Sequence, residues 1–158
     1  MKKLCILILL ITTALQGYCP NNYFKVIRVQ QYTDNEITLF AIIDYESKWG
    51  KHTFNSTENA AGHIQIRPMV VLDVNRYFNT NYTLQDRFDL DKSIEIFWKY
   101  QHMWKGNTPE SLSRIWNGGP KGMYKYTTLN YWEEIQKRIK KYEHLKYTTK
   151  IIKDEKIR

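Results

Sequence analysis

The chain has 158 residues, which is enough for one domain with a sizeable core and short extensions. Its formal net charge is +8, and aromatic residues make up 15% of the sequence. Such a surface suits an acidic polymer, whether nucleic acid, an anionic membrane or a bacterial wall, and charge alone does not choose among them. Two cysteines cannot build a disulfide framework or a zinc site, and the four histidines form no spaced metal pair. We therefore expect no metal and no cofactor.

Residues 1–19 have the pattern of a secretory signal peptide. Two lysines follow Met1, and the apolar run from Leu4 to Leu15 is short for a membrane span. The cleavage site is indistinct, so an uncleaved N-terminal anchor is the alternative. We expect export to the periplasm or cell envelope, or secretion. We also expect one domain over residues 20–145 and a basic tail over residues 146–158.

The first well-defined helix is predicted to begin near Thr33. Glu36 stands three residues after Thr33 and completes a capping box, and Gly50 is a plausible end. Residues three, four and seven apart share a helical face, so Glu46 lies beyond the apolar residue Leu39 on one stripe. The preceding segment, from residue 20 to residue 32, fits a short strand as well as a helix start.

Glu46 is the candidate catalytic residue of this helix. Hydrocarbon neighbours and the negative end of the helix dipole both favour the neutral acid, which is what a general acid needs near neutral pH. The alternative is that Glu46 is simply the first exposed residue at a helix end, and the helix alone does not decide between the two. Asp44 lies two positions earlier and therefore points elsewhere.

The rest of the chain is predicted to be mostly helical, compact and single-domain. Helices are marked by proline or acidic residues at their starts and by apolar residues every three or four positions. We expect Trp98, Trp104 and Trp132 to lie in the core. The predicted elements, in order, are a loop over residues 51–62, a helix over 69–78, a loop over 79–86, a helix over 89–104, a short helix over 109–116, a break at 117–120, a helix over 130–142 and a frayed Lys-rich end.

Three short blocks, in this order, resemble the lysozyme-like transglycosylase domain of soluble lytic transglycosylases. Glu46-Ser47 matches Glu-Ser, residues 62–68 are similar to Gly-Leu-Met-Gln-Ile-x-Pro, and residues 115–120 are similar to Ala-Tyr-Asn-Ala-Gly-Pro. A weaker match covers residues 128–132. The replacements, which include Trp116 for Tyr and Gly118 for Ala, resemble a divergent branch of Bacteroidetes-type bacteria and phages.

The resemblance implies a lysozyme-like fold, which is a single compact helical domain with a cleft. It also implies that Glu46 protonates the glycosidic oxygen between N-acetylmuramic acid and N-acetylglucosamine. The same carboxylate would then act as base on the muramic C6 hydroxyl, giving a 1,6-anhydro product with a single protein carboxylate. Glu58 could face the cleft as a second acid, but a solvated loop acid is the preferred interpretation.

The resemblance also carries the candidate substrate-binding residues, which are Ser47, Ile64, Gln65, Asn117, Gly118 and Tyr131. The Gln65 amide would hold an N-acetyl or hydroxyl group, or it would bond loop backbone instead. Asn117 would cap its helix or orient Glu46 and a sugar. Tyr131 would place a hydroxyl near the catalytic carboxyl, with core packing as the competing role.

Peptidoglycan glycan strands are the expected partner. One alternative keeps the fold and uses water, as a muramidase resembling goose-type lysozyme. Another is a non-catalytic glycan-binding or structural member of the fold, within a cell-envelope, secretion or phage apparatus. Nucleic-acid binding rests on charge alone, because no recognised module is present, so we expect none. No specific protein partner is indicated by the sequence.

Overall fold

The computed structural model describes residues 24–153 of the chain, with side chains from residue 29 to residue 148. The predicted signal peptide lies outside the described residues, as do both cysteines. The helices are α1 (Asp34–Ser47), α2 (Pro68–Phe78), α3 (Leu90–Met103), α4 (Pro109–Gly118) and α5 (Leu129–Tyr142). The strands are β1 (Phe24–Gln30), β2 (Phe54–Asn55), β3 (Ala60–Ala61) and β4 (Tyr147–Lys153). Short 3-10 helices cover Leu84–Phe88, Gly122–Tyr124, Tyr126–Thr128 and Glu143–Lys146.

Local capping chemistry explains where the helices begin. The Asp89 side chain accepts a 3.0 Å hydrogen bond from the backbone N–H of Lys92 and caps α3. Thr108 and Ser111 form a reciprocal capping box at α4, and Pro109 occupies its first turn. These starts agree with the sequence prediction to within a residue, and the mostly helical fold class is confirmed.

The five helices belong to one unit, residues 34–143, and enclose its core. Ile42 from α1, Phe97 from α3, Leu112 from α4 and Ile135 from α5 are all fully buried there. Trp98 and Trp132 are partly buried and pack against this core, as expected.

Trp104 was expected in the core but is 38% exposed. It follows the last residue of α3, whose buried face is formed by Ile96, Phe97 and Tyr100. The expectation for Trp104 is therefore wrong, because this residue lies beyond the end of the helix and outside its buried face.

The predicted loop over residues 51–62 contains a small antiparallel hairpin. Phe54 pairs with Ala61 and Asn55 with Ala60, and Ala61 forms a further bridge to Ile66. Strands of two residues show no alternating pattern, so the sequence could not reveal them. The hairpin matters because it carries one wall of the cavity described below.

The second unit contains the terminal strands of the described chain. β1 and β4 pair antiparallel, from Phe24 opposite Lys153 to Gln30 opposite Tyr147. The prediction of a frayed end is therefore wrong for residues 147–153, which form a strand. Within residues 24–153, no helix combines the length and apolar character needed to cross a membrane.

Candidate active site

A cavity of about 210 Å³ opens within the helical unit. Its walls come from the end of α1, the β2–β3 hairpin, the segment leading into α2, and the facing ends of α4 and α5. The lining residues are Tyr45, Glu46, Asn55, Glu58, Ala60, Gln65, Arg67, Val70, Trp116, Asn117 and Tyr131. Four of the predicted site residues are thus brought together, namely Glu46, Gln65, Asn117 and Tyr131.

The central contact of the cavity joins Glu46 to Tyr131. Glu46 stands in the last turn of α1, and Tyr131 stands in the first turn of α5. The Tyr131 hydroxyl donates a 2.8 Å hydrogen bond to Oε1 of Glu46. The Tyr131 ring is only 5% exposed and packs edge-on against Tyr45, with ring centroids 4.9 Å apart. Both roles predicted for Tyr131, a hydroxyl near the carboxyl and core packing, are present in one side chain.

The Glu46 carboxyl is held in an environment that favours its neutral form. The pKa of Glu46 is raised from 4.5 to about 7 overall, and burial of the carboxyl is the largest cause. The Tyr131 hydrogen bond and the positive charge of Arg67 lower this pKa, whereas the negative charge of Glu58 raises it. The net direction is the one expected from a carboxyl at the end of an apolar helix. At neutral pH and below, Glu46 therefore has a proton to donate.

Glu58 is a solvated loop acid, as predicted, with a side chain that is 48% exposed, and it also lines the cavity. Its Oε2 accepts hydrogen bonds from Nε of Arg67 at 2.9 Å and from Nη2 of Arg67 at 2.6 Å. The Asn55 side chain fixes the loop, because its Oδ1 accepts the backbone N–H groups of Thr57 at 3.1 Å and Glu58 at 3.4 Å. The cavity thus holds two carboxyl groups in different settings.

A buried arginine supports this wall from behind. Arg87 is 5% exposed, and its Nη1 donates to the carbonyl oxygens of Asn59 at 2.7 Å and Ile66 at 3.1 Å. These carbonyls belong to the residue after Glu58 and the residue before Arg67. Arg87 therefore anchors the backbone beneath both members of the ion pair.

Gln65 lines the cavity and also holds its own loop together. Its φ of +55° is unusual for a residue with a side chain. Its Nε2 donates to the carbonyl oxygens of Gly62 at 2.9 Å and His52 at 3.2 Å. Its Oε1 makes no hydrogen bond to the described part of the chain and remains available as an acceptor. The loop-bonding role is therefore occupied by the amide nitrogen, and a substrate role is left to the amide oxygen.

Asn117 and Trp116 bring the end of α4 to the cavity. Trp116 donates from Nε1 to the carbonyl oxygen of Ile64 at 3.2 Å, which ties α4 to the segment that carries Gln65. The Trp116 ring also contacts Phe97 in the core, with centroids 5.0 Å apart. Asn117 lies one residue further along the last turn of α4 and lines the cavity.

Three predicted substrate-binding residues do not line the cavity. Ser47 is fully buried, where its Oγ donates to the Ile43 carbonyl and accepts the Gly50 N–H at 2.9 Å, closing the end of α1. Ile64 is a fully buried core residue that offers only its carbonyl to Trp116. At Gly118, a Cβ would lie 2.5 Å from Thr128 Cγ2, so this glycine allows close packing behind the wall. All three support neighbouring cavity residues.

Tyr45, Asn55 and Arg67 line the cavity but were not predicted as site residues. Asn55 carried a weak signal, because asparagine in a polar loop often bonds the backbone two residues on. Arg67 occupies the variable position of the Gln-Ile-x-Pro block, so the resemblance said nothing about it. Among the described residues, no group of three or more His, Cys, Asp or Glu side chains is arranged to hold a metal ion.

The chain was compared with known protein families, curated proteins and solved structures. No protein-family model and no curated protein matches the sequence. A chain in the crystal structure of Aeromonas hydrophila PliI in complex with Meretrix lusoria lysozyme is similar, with a TM-score of 0.55 and 23% identity. The crystal structure of Tapes japonica lysozyme is similar, with a TM-score of 0.54 and 20% identity. Each match covers 65% of this chain and 88% of the other chain. The chain therefore has a lysozyme-like fold.

Proposed function

We propose that the protein cleaves the β-1,4 bond between N-acetylmuramic acid and N-acetylglucosamine in peptidoglycan, with Glu46 as the general acid. The observation that carries this proposal is the Glu46 carboxyl in the cavity, bonded by Tyr131 and raised in pKa to about 7. A group that protonates a leaving oxygen works best with a pKa near the working pH. The lysozyme-like fold and an amide-bearing cavity support a glycan as the substrate.

The second carboxyl in the cavity favours hydrolysis. Glycosidases use one neutral carboxyl as acid and one carboxylate as base or nucleophile. Glu46 fits the first role, and the Glu58 carboxylate, held by Arg67 in the same cavity, fits the second. On this basis the protein is a muramidase that consumes water and leaves reducing muramic ends.

The lytic transglycosylase reaction is the second candidate, and the Glu58–Arg67 ion pair favours it. Arg67 gives two N–H donors to Glu58, which leaves Glu46 as the cavity carboxyl outside an ion pair. In this reaction Glu46 donates its proton to the glycosidic oxygen and later accepts one from the muramic C6 hydroxyl. The C6 oxygen then bonds to C1, so the product is a 1,6-anhydro sugar and no water is consumed.

Digestion of purified peptidoglycan, with the products read by mass spectrometry, tests the function and separates the two reactions. The Glu46→Gln variant should lose about 10²- to 10⁴-fold in rate, because the acid is removed. Glu133→Gln, at an exposed position outside the cavity lining, is the matched control and should act like the unchanged protein. Undiminished cleavage by Glu46→Gln would contradict the role of Glu46, and an inactive unchanged protein would point to a non-catalytic glycan binder.

Glu58→Gln decides between the candidates. Hydrolysis predicts reducing ends and a large loss of rate in this variant, because the second carboxylate takes part in the reaction. Transglycosylation predicts anhydro ends and a rate that largely persists. The two product types differ by the mass of one water molecule, so a single digest distinguishes them.

Export to the cell envelope completes the proposal, since the substrate lies outside the cytoplasm. The basic start and apolar run of residues 1–15 support it. Protein recovered from the envelope or medium should begin near residue 20 if the signal is cleaved. An intact N-terminus in the membrane fraction would indicate an anchor, and recovery only from the cytoplasm would contradict export.

A further inference from the structure

We propose that the guanidinium group of Arg67 recognises a carboxylate carried by the glycan strand, and that this substrate carboxylate displaces Glu58 from Arg67. The inference rests on the proposed function and deepens it by naming the substrate feature that the cavity selects. Carboxylates occur on peptidoglycan in two places, as the lactyl group of muramic acid without a stem peptide and within the stem peptides themselves. Polymers of N-acetylglucosamine alone carry none.

Arg67 is placed where a bound glycan must meet it. It lines the same cavity as Glu46, and its side chain is 44% exposed. Its backbone is held on a firm base, because the preceding residue, Ile66, pairs with Ala61 and accepts a hydrogen bond from the buried Arg87. The guanidinium can therefore change partners without movement of the loop that carries it.

The bond between Arg67 and Glu58 leaves much of the guanidinium unused. Nε and Nη2 of Arg67 both donate to the same oxygen, Oε2 of Glu58. Within the described residues, Nη1 of Arg67 and Oε1 of Glu58 make no hydrogen bond. A carboxylate in the bidentate arrangement accepts two parallel N–H···O bonds from the guanidinium, one at each of its oxygens. The observed contact is therefore not the best one available to Arg67.

Exposure of the ion pair makes exchange easy. The side chains of Arg67 and Glu58 are 44% and 48% exposed, and ion pairs this open to water contribute little net stability. An incoming carboxylate that forms the parallel pair can thus compete with Glu58. The exchange would release the Glu58 carboxylate from Arg67 within the cavity that also contains Glu46.

Binding measurements in the Glu46→Gln background test the proposal without turnover. Calorimetric titration would use four glycans of equal length, which are peptide-free peptidoglycan, its lactyl methyl ester, peptide-bearing peptidoglycan and an N-acetylglucosamine oligomer. Adding Arg67→Gln should weaken binding of a carboxylate-bearing glycan by about 10- to 100-fold, as expected for a charge-assisted hydrogen bond. Binding of the methyl ester and of the N-acetylglucosamine oligomer should change little.

Two further variants sharpen the result. Arg67→Lys keeps the charge but cannot form the parallel pair, so it should bind with intermediate affinity. Arg76→Gln removes an exposed arginine of α2 outside the cavity lining and should have no effect. If Arg67→Gln weakens binding of the peptide-free glycan, the lactyl carboxylate is the ligand of Arg67. If it weakens binding of the peptide-bearing glycan alone, the ligand is a carboxylate of the stem peptide.

The inference is overturned if Arg67→Gln weakens binding of charged and neutral glycans equally, or if it weakens binding of none of them. If the unchanged protein still cleaves peptidoglycan in that case, the proposed function stands and only the role of Arg67 fails. If Glu46→Gln binds none of the four glycans and the unchanged protein cleaves none, the proposed function fails as well.

Discussion

The Tyr131 hydroxyl donates a 2.8 Å hydrogen bond to Oε1 of Glu46, and the two residues are 85 positions apart in the chain. The contact holds the end of α1 to the start of α5. It also partly offsets the rise in the pKa of Glu46 that burial causes, so one hydrogen bond affects both the position and the acidity of the proposed general acid.

In Tyr131→Phe, the pH above which cleavage activity declines should be higher than in the unchanged protein. Glu46 acts while protonated, so cleavage falls as the pH rises through its pKa of about 7. Removing the Tyr131 hydrogen bond, which lowers that pKa, raises the pH at which the proton is lost. Stability should fall by about 1 kcal/mol, as for a typical lost hydrogen bond. The pH profile of kcat/KM measures the shift.

Tyr124→Phe is the matched control for that profile, because the Tyr124 side chain is 89% exposed and does not line the cavity. Its profile should coincide with that of the unchanged protein. A Tyr131→Phe profile that stays in place or moves to lower pH would contradict the role of the hydrogen bond.

Glu46→Gln should stabilise the protein at alkaline pH. The folded-state pKa of about 7 lies above the ordinary 4.5, so the folded protein binds more protons than the unfolded chain between these values, and stability falls as pH rises through this window. Above the window the cost reaches up to roughly 3 kcal/mol, from 1.36 kcal/mol per pKa unit. Glutamine avoids this cost. Urea unfolding near pH 8 should show the gain, and the two proteins should converge near pH 4.

Glu133→Gln should show no comparable pH-dependent gain, since Glu133 is exposed. Equal stability of the unchanged protein and Glu46→Gln at alkaline pH would mean that the Glu46 carboxyl is well solvated.

Arg87→Met should weaken the whole cavity wall. The substitution removes three hydrogen bonds from the guanidinium, to the carbonyls of Leu84, Asn59 and Ile66, and hydrogen bonds made by a charged group contribute about 1.5–3 kcal/mol each. We expect a loss of roughly 3 kcal/mol or more in the free energy of unfolding, measured in urea. Arg76→Met, at an exposed position, should change it by less than about 0.5 kcal/mol. A small effect at residue 87 would mean that water replaces the guanidinium.

Gly62→Ala should be the most damaging small substitution in the hairpin region. Gly62 has a φ of +80°, and a Cβ there would lie 1.6 Å from the backbone carbonyl oxygen of Arg87. Gly119→Ala is the control, since its φ is +75° but its Cβ would come no nearer than 4.0 Å to Tyr100. In Gly119→Ala the free energy of unfolding should fall by about 1–3 kcal/mol from backbone strain alone, and in Gly62→Ala it should fall clearly further. Equal losses in thermal unfolding would show that the loop moves aside.

The helices could be predicted because their signals are local. Asp89 and Thr108 cap helices through side chains that reach only three residues along the chain. The β1–β4 ladder could not be predicted, because its pairs join the two ends of the described chain and neither strand identifies its partner. The β2–β3 hairpin could not be predicted for a different reason, because its two-residue strands are too short to show a period.

The site was predictable where a helix position or a motif residue defined it. Glu46 and Tyr131 meet because α1 and α5 pack together, which sequence periodicity permits but does not specify. The position of Glu58 at the cavity could not be predicted, because it depends on contacts with Arg67 and Asn55 and a loop acid shows no pattern of its own. The block resemblance could not separate residues that face the cavity from neighbours such as Ser47 that hold the backbone.

The register of β1 with β4 has a consequence for synthesis on the ribosome. The segment Phe24–Gln30 emerges early, whereas Tyr147–Lys153, which supplies its ladder, emerges after every helix has been made. During elongation the nascent chain therefore carries an open β-edge, the kind of surface that invites pairing with other chains. We therefore expect a chaperone that shields this segment during synthesis to raise the yield of native protein.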